Sequence, residues 1–204
     1  MSLEHNLLDV YENILAGHGP RDTNRVRKSG EFAYIPLNLA AFEAQIQQVR
    51  GFISVGKGLK DGYDDPHPDF SFIDVGCGIG SKVFLAREFV GYRGRADGIE
   101  RHKPYVRVAR RLLKYSGCSS GSNDGKIICG NAITADFSKW DVIYFYCPIA
   151  DVAKQQQLEK RIITTAKPGA YILANLKKLP ETTWSSPPLE RVWGRTIYRK
   201  LPTK

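Results

Sequence analysis

The stretch Phe70–Ala86, FSFIDVGCGIGSKVFLA, joins an apolar segment to a glycine-rich loop and then to a helical pattern. Asp74 lies near the end of the apolar segment, and Gly76, Gly78 and Gly80 follow it at alternate positions. Glycine accepts a positive φ without strain and lets the backbone come close to a ligand. Such a loop between a strand and a helix predicts a binding site at the carboxyl end of the strand, facing the helix N-terminus.

The spacing of these glycines is G-x-G-x-G, whereas the dinucleotide fingerprint is G-x-G-x-x-G and would place its third glycine at Ser81. The tighter spacing favours a cofactor without a pyrophosphate and disfavours a NAD-linked oxidoreductase. Asp74 can meet an ammonium group directly or through water. Cys77, inside the loop, is expected to fill space rather than to react.

Polar residues also follow the next two predicted strands. Glu100 ends the segment GIE, where a carboxylate can accept both hydroxyls of a ribose. Asn131 and Ala132 follow the third strand and are expected to frame an adenine, with Phe137 as a further apolar contact. Tyr146, before Cys147 and Pro148, ends the fourth strand over the same crevice.

Downstream of Phe70 the chain alternates between strand and helix patterns, which predicts an α/β fold with a mostly parallel sheet and helices on both faces. The predicted strands are Phe70–Val75, Arg95–Ile99, Lys126–Cys129, Asp141–Tyr146 and Ala170–Ala174, and the helices are Ser81–Val90, Pro104–Tyr115 and Val152–Thr165. Two short alternating segments in Leu189–Lys200, broken at Gly194, predict a hairpin that closes the sheet.

Residues 1–55 predict a helical extension before this domain. LEHNLLDVYENILAG has helical spacing, and Ile35–Phe52 carries an apolar stripe of Leu39, Phe42, Ile46 and Val49. The segment GKGLKDGYDDPHPD is rich in glycine, proline and aspartate and predicts a loop. The chain therefore divides into an N-terminal extension or lid, 1–55, and a main domain, 70–204.

The 204 residues carry a net charge of +9. This charge favours acidic partners such as nucleic acid, anionic cofactors or acidic proteins, and it is equally compatible with solubility alone. Part of it lies on one face of a predicted helix, a pattern that is usual for a solvated face; the residues are Lys103, Arg107, Arg110, Arg111 and Lys114.

No apolar run approaches the roughly 20 residues of a membrane span, and the start carries acids rather than a basic n-region. The cysteines, Cys77, Cys118, Cys129 and Cys147, form no CxxC pair. They predict buried, reduced thiols in a cytoplasmic protein with no metal site and no membrane partner.

The segments FIDVGCGIGSKVFLA, GIE, GNA, WDVIYFYCP and KPGAYILAN, in this order, resemble the motif series of the class I S-adenosylmethionine-dependent methyltransferases, which are seven-stranded and Rossmann-like. The resemblance covers about two thirds of the chain, from Phe70 to Lys200. It implies S-adenosylmethionine as the cofactor, an antiparallel last strand and an N-terminal segment that helps to close the site. The cofactor-binding residues it implies are Asp74, Gly76, Cys77, Gly78, Gly80, Glu100, Asn131, Ala132 and Tyr146.

Methyl transfer from a sulfonium mainly requires alignment, and it needs a general base only when the acceptor arrives protonated. The candidate catalytic residues are Glu31 and Tyr34, in SGEFAYIP, together with Tyr146. Each has an ordinary structural alternative, since Glu31 and Tyr34 could be plain loop residues and Tyr146 a core aromatic. Likewise, Glu100 could be a surface acid and Asn131 a turn residue.

The acceptor stays open between a protein lysine, RNA and a small molecule, and the basic charge favours protein or RNA. The segment YCPI after the fourth strand matches one residue of the Asn-Pro-Pro-Tyr motif of nucleobase amine methyltransferases, which argues against such a target. GEFAYIPLNLAAFEAQI weakly resembles the non-SET lysine methyltransferases. The alternative to an enzyme is a non-catalytic nucleotide- or RNA-binding module on this fold.

Overall fold

A computed structural model describes residues 39–56, 70–88, 95–115, 125–174, 190–192 and 195–201. The helices are α1 Leu39–Gly56, α2 Ser81–Glu88, α3 Lys103–Tyr115 and α4 Val152–Thr165, with a short 3-10 helix at Ala132–Thr134. The strands are β1 Phe72–Val75, β2 Ala96–Glu100, β3 Ile127–Cys129, β4 Val142–Phe145, β5 Tyr171–Ala174, β6 Glu190–Val192 and β7 Arg195–Arg199.

The strands form one seven-stranded sheet in the order β3-β2-β1-β4-β5-β7-β6. Strands β1 to β5 are parallel, and β7 is antiparallel to both β5 and β6. The predicted parallel sheet and the C-terminal hairpin are therefore confirmed. The strand order reverses between β1 and β4, and a crevice forms at such a switch point, at the carboxyl ends of the strands.

Helices cover both faces of the sheet, as the apolar strands predict. On one face α1, α2 and α3 pack with Phe72, Tyr144 and Leu173 in one core cluster. On the other face α4 packs with Ile143, Phe145 and Trp140 in a second cluster. All four residues of β1, β4 and β5 are buried, because each of these central strands is covered on both sides.

The described part of the N-terminal extension, α1, packs into the core of the sheet. Phe42 meets the rings of Phe72 and Tyr144 edge-on, with centroids 6.1 and 5.5 Å away. The helix continues beyond its predicted end at Phe52 as far as Gly56, and Ser54 in this last turn is buried. The predicted lid, the first predicted helix and the loop over 57–69 lie outside the described residues, so they stay predictions.

The expected burial of the cysteines is wrong at one position. Cys77 is buried and Cys147 is half-buried, but Cys129 is exposed. Cys129 ends β3, which has a neighbour on one side only among the described strands. Cys118 lies outside the described residues. None of the described helices is long and apolar enough to cross a membrane.

Candidate functional site

The glycine loop folds over the end of β2 and leads directly into α2. The amides of Gly76 and Cys77 both donate to the carbonyl oxygen of Ile99, at 2.9 and 3.1 Å, and the Gly80 amide donates to the Cys77 carbonyl at 2.9 Å. Gly76, Gly78 and Gly80 all have positive φ values, 76°, 55° and 82°. The loop therefore has the backbone conformation that the glycine spacing predicts.

The same loop touches the segment that follows β4. A Cβ atom on Gly76 would lie 2.4 Å from Cβ of Pro148, so only glycine fits there. Cys147 has a φ of 38°, which is uncommon for a residue other than glycine, and it turns the chain between Tyr146 and Pro148. Tyr146 is half-buried beside the core of the α1–α3 face. The structure thus brings the predicted residues Gly76 and Tyr146 together at the carboxyl ends of β1 and β4.

Asp74 is buried beneath this loop, with 1% of its surface exposed. Its Oδ2 atom has no hydrogen-bond partner among the described residues. Burial raises the pKa of Asp74 to about 6; Lys82 opposes this rise and the Glu100 carboxylate adds to it. A buried carboxyl oxygen without a donor is costly, and a cationic or hydrogen-bonding ligand would remove that cost.

Lys82 is a site residue that the sequence reasoning missed. Its ammonium nitrogen lies 4.0 Å from Oδ2 of Asp74 and 5.2 Å from the centroid of the Tyr144 ring. It is the second residue of α2, where a cation interacts unfavourably with the helix dipole. This unfavourable position, in the first turn of a helix that begins a few residues after an acid, was the available signal.

A second buried aspartate, on β2, provides a contrast. Asp97 is fully buried and accepts hydrogen bonds from Arg95 Nε at 2.7 Å, Trp140 Nε1 at 2.9 Å and the Lys126 amide at 2.6 Å. Both of its oxygens are therefore occupied by protein donors. Asp97 stabilises the fold, whereas Asp74 retains an oxygen that a ligand can use.

Glu100 ends β2 at the edge of the crevice. Its Oε2 atom accepts a hydrogen bond from the Gly78 amide at 3.0 Å, and its Oε1 atom accepts one from the His102 amide at 2.6 Å. The side chain is half-buried. The carboxylate thus joins the glycine loop to the end of β2, and its predicted contact with a ribose stays a prediction.

Asn131 and Ala132 lie at the carboxyl end of β3, next to the Glu100 strand end. Asn131 is exposed and caps the 3-10 helix, because its Oδ1 atom accepts from the Ile133 amide at 3.1 Å. Phe137, expected at the adenine, is instead a core residue with no exposed surface. The chain turns back after the 3-10 helix, and Phe137 packs on Trp140 while its amide donates to Oγ1 of Thr165.

The side chain of Cys77 faces the core rather than the crevice. A Cβ atom on Gly98 of β2 would lie 2.7 Å from its sulfur. Burial, followed by the negative charges of Asp74 and Glu100, raises the pKa of the Cys77 thiol well above its usual value. A neutral, buried thiol agrees with the expected space-filling role. Glu31 and Tyr34 lie outside the described residues.

Comparison with known proteins gives a family match and fold neighbours. A model of the methyltransferase domain family matches residues 66–198. An RNA methyltransferase from Salinibacter ruber, solved with S-adenosyl-L-homocysteine, superposes with a TM-score of 0.54 at 20% identity, over 78% of this chain and 92% of that one.

A protein from Haemophilus influenzae described as a methylase superposes with a TM-score of 0.58 at 15% identity, over 79% of this chain and 88% of that one. No curated protein matches the sequence. At these identities the two structures show the fold, and the family match covers more than half of the chain. The resemblance to the class I S-adenosylmethionine-dependent methyltransferases is thereby confirmed, and the chain belongs to the methyltransferase domain family.

Proposed function

We propose that this methyltransferase binds S-adenosylmethionine across the carboxyl ends of β1, β2 and β3, and that it methylates RNA. The observation that carries the cofactor assignment is the buried Asp74 carboxyl beneath a glycine loop, whose Oδ2 atom accepts no hydrogen bond from the described residues. An ammonium group is the ligand that best compensates a buried carboxylate, and the methionine end of the donor carries one.

The residues around the crevice fit the rest of the donor. Gly76, Gly78 and Gly80 give the loop positive φ values, and glycine lets such a backbone come close to a ligand. Glu100 presents a carboxylate at the end of β2, which is separated from β4 by β1 alone. The ribose of the donor would lie at this strand end. Asn131 and Ala132, on the next strand end, would flank the base.

When bound, the donor supplies an electrophilic methyl group on a positively charged sulfur, so the protein mainly has to orient it and exclude water. Asp74 holds the amino-acid end, and the contact between Gly76 and Pro148 closes one wall of the crevice. Tyr146, which is half-buried at that wall, would contact the incoming acceptor. Glu31 and Tyr34 remain proposed catalytic residues on sequence grounds alone.

RNA is the acceptor class that the observations favour among the three that the sequence leaves open. The net charge of +9 supports a polyanionic partner. The fold neighbour from Salinibacter ruber is an RNA methyltransferase, which supports the same class by analogy only.

Thermal denaturation with candidate cofactors tests the donor assignment. We expect S-adenosylmethionine and S-adenosylhomocysteine to raise the melting temperature and NAD to leave it unchanged, because a ligand at 100 times its dissociation constant stabilises by about 2.7 kcal/mol. Failure of both adenosyl compounds to shift the melt would overturn the donor assignment. Labelled methyl transfer to RNA, protein and small-molecule fractions of a cell extract then tests the acceptor. Incorporation outside RNA would contradict our choice.

The ribose contact is tested by changing both partners. The 2′-deoxy analogue of S-adenosylhomocysteine should bind more weakly than the parent compound to the unmodified protein. Glu100→Gln should reduce this difference, because the amide offers the diol one acceptor oxygen instead of two. An unchanged difference would show that Glu100 only supports the loop through the Gly78 amide.

A further inference from the structure

The outer side of α3 carries a continuous basic face, formed by Lys103, Arg107, Arg110, Arg111 and Lys114. All five side chains are exposed. They lie within an arc of about 100° around the helix axis and extend over about 16 Å of its length. The opposite side is apolar and buried against the sheet, with Tyr105, Val106, Ala109, Leu112 and Leu113.

Nothing described in the protein neutralises this basic face. Residues 101–115 include no aspartate or glutamate, and Lys103, Arg107, Arg111 and Lys114 form no ion pair among the described residues. Like charges four residues apart on a helix repel one another. A charged stripe on a helix is usual for a solvated face, but here the stripe has one sign only and no acid within the helix. This one-sided charge favours a polyanionic partner.

Arg110 adds a fixed point to the basic face. Its Nε and Nη2 atoms donate to the carbonyl oxygen of Ile127 on the edge strand β3, at 3.2 and 3.0 Å. This anchors one guanidinium and ties α3 to the sheet edge. The other cations stay available on a rigid support, which reduces the entropy lost when they bind.

The basic face begins beside the proposed cofactor site. Glu100 ends β2, and Lys103 begins α3 only three residues later. An anionic strand bound along α3 would therefore reach the crevice at the carboxyl ends of the strands. We propose that the basic face binds the phosphate backbone of the RNA acceptor; the inference rests on the proposed function and names where that acceptor docks.

The chemistry of the basic face fits phosphates better than the side chains of an acidic protein. Along the helix axis, Lys103, Arg107 and Arg111 follow one another at about 6 Å, similar to the separation of neighbouring phosphates in an RNA strand. Three of the five residues are arginines, whose planar guanidinium groups bind phosphate oxygens in pairs. The five residues of the basic face are all lysine or arginine, with no aromatic ring among them for base stacking, so this contact should be independent of base sequence.

Fluorescence anisotropy with the full chain tests the proposal, using labelled single-stranded RNA of about 20 nucleotides and mixed sequence. Arg107→Gln/Arg111→Gln should weaken binding about 10-fold at low salt, and the salt dependence should fall by about 0.7 in slope for each lost phosphate contact. The matched control, Lys154→Gln/Lys160→Gln, removes two exposed cations from α4 on the other face of the sheet and should bind RNA as before.

The outcomes separate this proposal from the cofactor assignment. Equal losses in both double variants would overturn the docking site and show that only net charge matters. No loss in either would overturn it too, because Arg107 and Arg111 would then not contact the RNA. Competition by polyglutamate as strong as that by unlabelled RNA would also overturn it, since the face would then recognise any acidic polymer. Calorimetry should show that the unmodified protein and both double variants bind S-adenosylhomocysteine with equal affinity. If none of the three proteins bound it, the donor assignment alone would be rejected.

Discussion

At the scale of single residues, two buried aspartates on neighbouring strands have opposite roles. Asp97 is satisfied by three protein donors, whereas Oδ2 of Asp74 has none among the described residues. Burial is therefore compensated at Asp97 and left costly at Asp74. A buried carboxyl oxygen without a donor is a feature that a bound ligand can compensate. The missing hydrogen bond therefore indicates a ligand site at Asp74 more directly than burial alone does.

Asp74→Asn should stabilise the unliganded protein at pH 8 and weaken S-adenosylhomocysteine binding. The folded pKa of about 6 exceeds the unfolded value of 3.8, so this group makes the folded state less stable as pH rises through that window. The substitution should raise the free energy of unfolding by about 2 to 3 kcal/mol at pH 8 and leave it unchanged near pH 3. Denaturant unfolding at both pH values checks this.

Asp97→Asn is the matched control and should destabilise the protein, because an amide cannot replace the acceptor bonds to Arg95 and the Lys126 amide equally well. If Asp74→Asn proved as destabilising as Asp97→Asn at pH 8, Asp74 would have to be structural.

Lys82→Met should raise the pH below which cofactor binding is lost. The Lys82 ammonium lowers the pKa of Asp74, so its removal lets that pKa rise further above about 6. Affinity for S-adenosylhomocysteine, measured by calorimetry from pH 5 to 9, should be lost below about pH 6 in the unmodified protein and at a higher pH in the variant. Lys154→Met, on exposed α4, should behave as the unmodified protein. An unchanged or lower midpoint would contradict the coupling.

At the scale of elements, the site depends on contacts between loops that follow different strands. The glycine loop after β1 meets Pro148 after β4 and the Glu100 carboxylate at the end of β2. These loops are adjacent because β1 pairs with β2 on one side and with β4 on the other. The crevice is therefore a product of the strand order.

Gly76→Ala should destabilise the protein more than Gly169→Ala. Both glycines have positive φ values, 76° and 83°, so both substitutions carry a strain of about 1 to 2 kcal/mol. Only at Gly76 would the new Cβ atom collide with Pro148, because nothing lies within 4 Å of the corresponding point at Gly169. The collision should add about 1 to 3 kcal/mol and weaken cofactor binding. Equal losses of stability would mean that the two loops are not in firm contact.

At the scale of the whole molecule, α1 and the sheet share one core. Phe42 has 1% of its surface exposed and contacts both β1 and β4 through Phe72 and Tyr144. The described part of the N-terminal extension therefore contributes to the same hydrophobic cluster as the cofactor-bearing strands. We expect the two to unfold together.

Phe42→Ala should lower the free energy of unfolding by about 3 to 5 kcal/mol, because it removes a buried aromatic ring and leaves a cavity. The unfolding transition, followed by circular dichroism and by tryptophan fluorescence, should shift as a single step. Val55→Ala, at an exposed position of the same helix, should change stability by less than about 0.5 kcal/mol. Separate transitions for the two probes would show that α1 and the sheet unfold independently.

Most of the fold can be read from the sequence because its signals are local. The span Val152–Thr165 is helical as predicted, and the two strands of the predicted C-terminal hairpin are β6, which ends at Val192, and β7, which begins at Arg195. Apolar runs, helical periodicity and glycine spacing act over a few residues, and the family resemblance implied the seven-stranded sheet with its antiparallel last strand. The boundaries of α1 and the burial of Cys129 differ from the predictions because they depend on which neighbours cover each element.

By itself, then, the sequence determined the alternating architecture, the glycine loop and the acids at the strand ends, since these depend on residue type and short spacing. Only the tertiary structure decided that Lys82 lies beside Asp74, that Asp97 is satisfied, that Phe137 belongs to the core and that Pro148 meets Gly76. Each of these is a contact between distant segments or, for Lys82, across the turn from strand to helix. No local pattern specifies such contacts, because they follow from the order in which the strands pair.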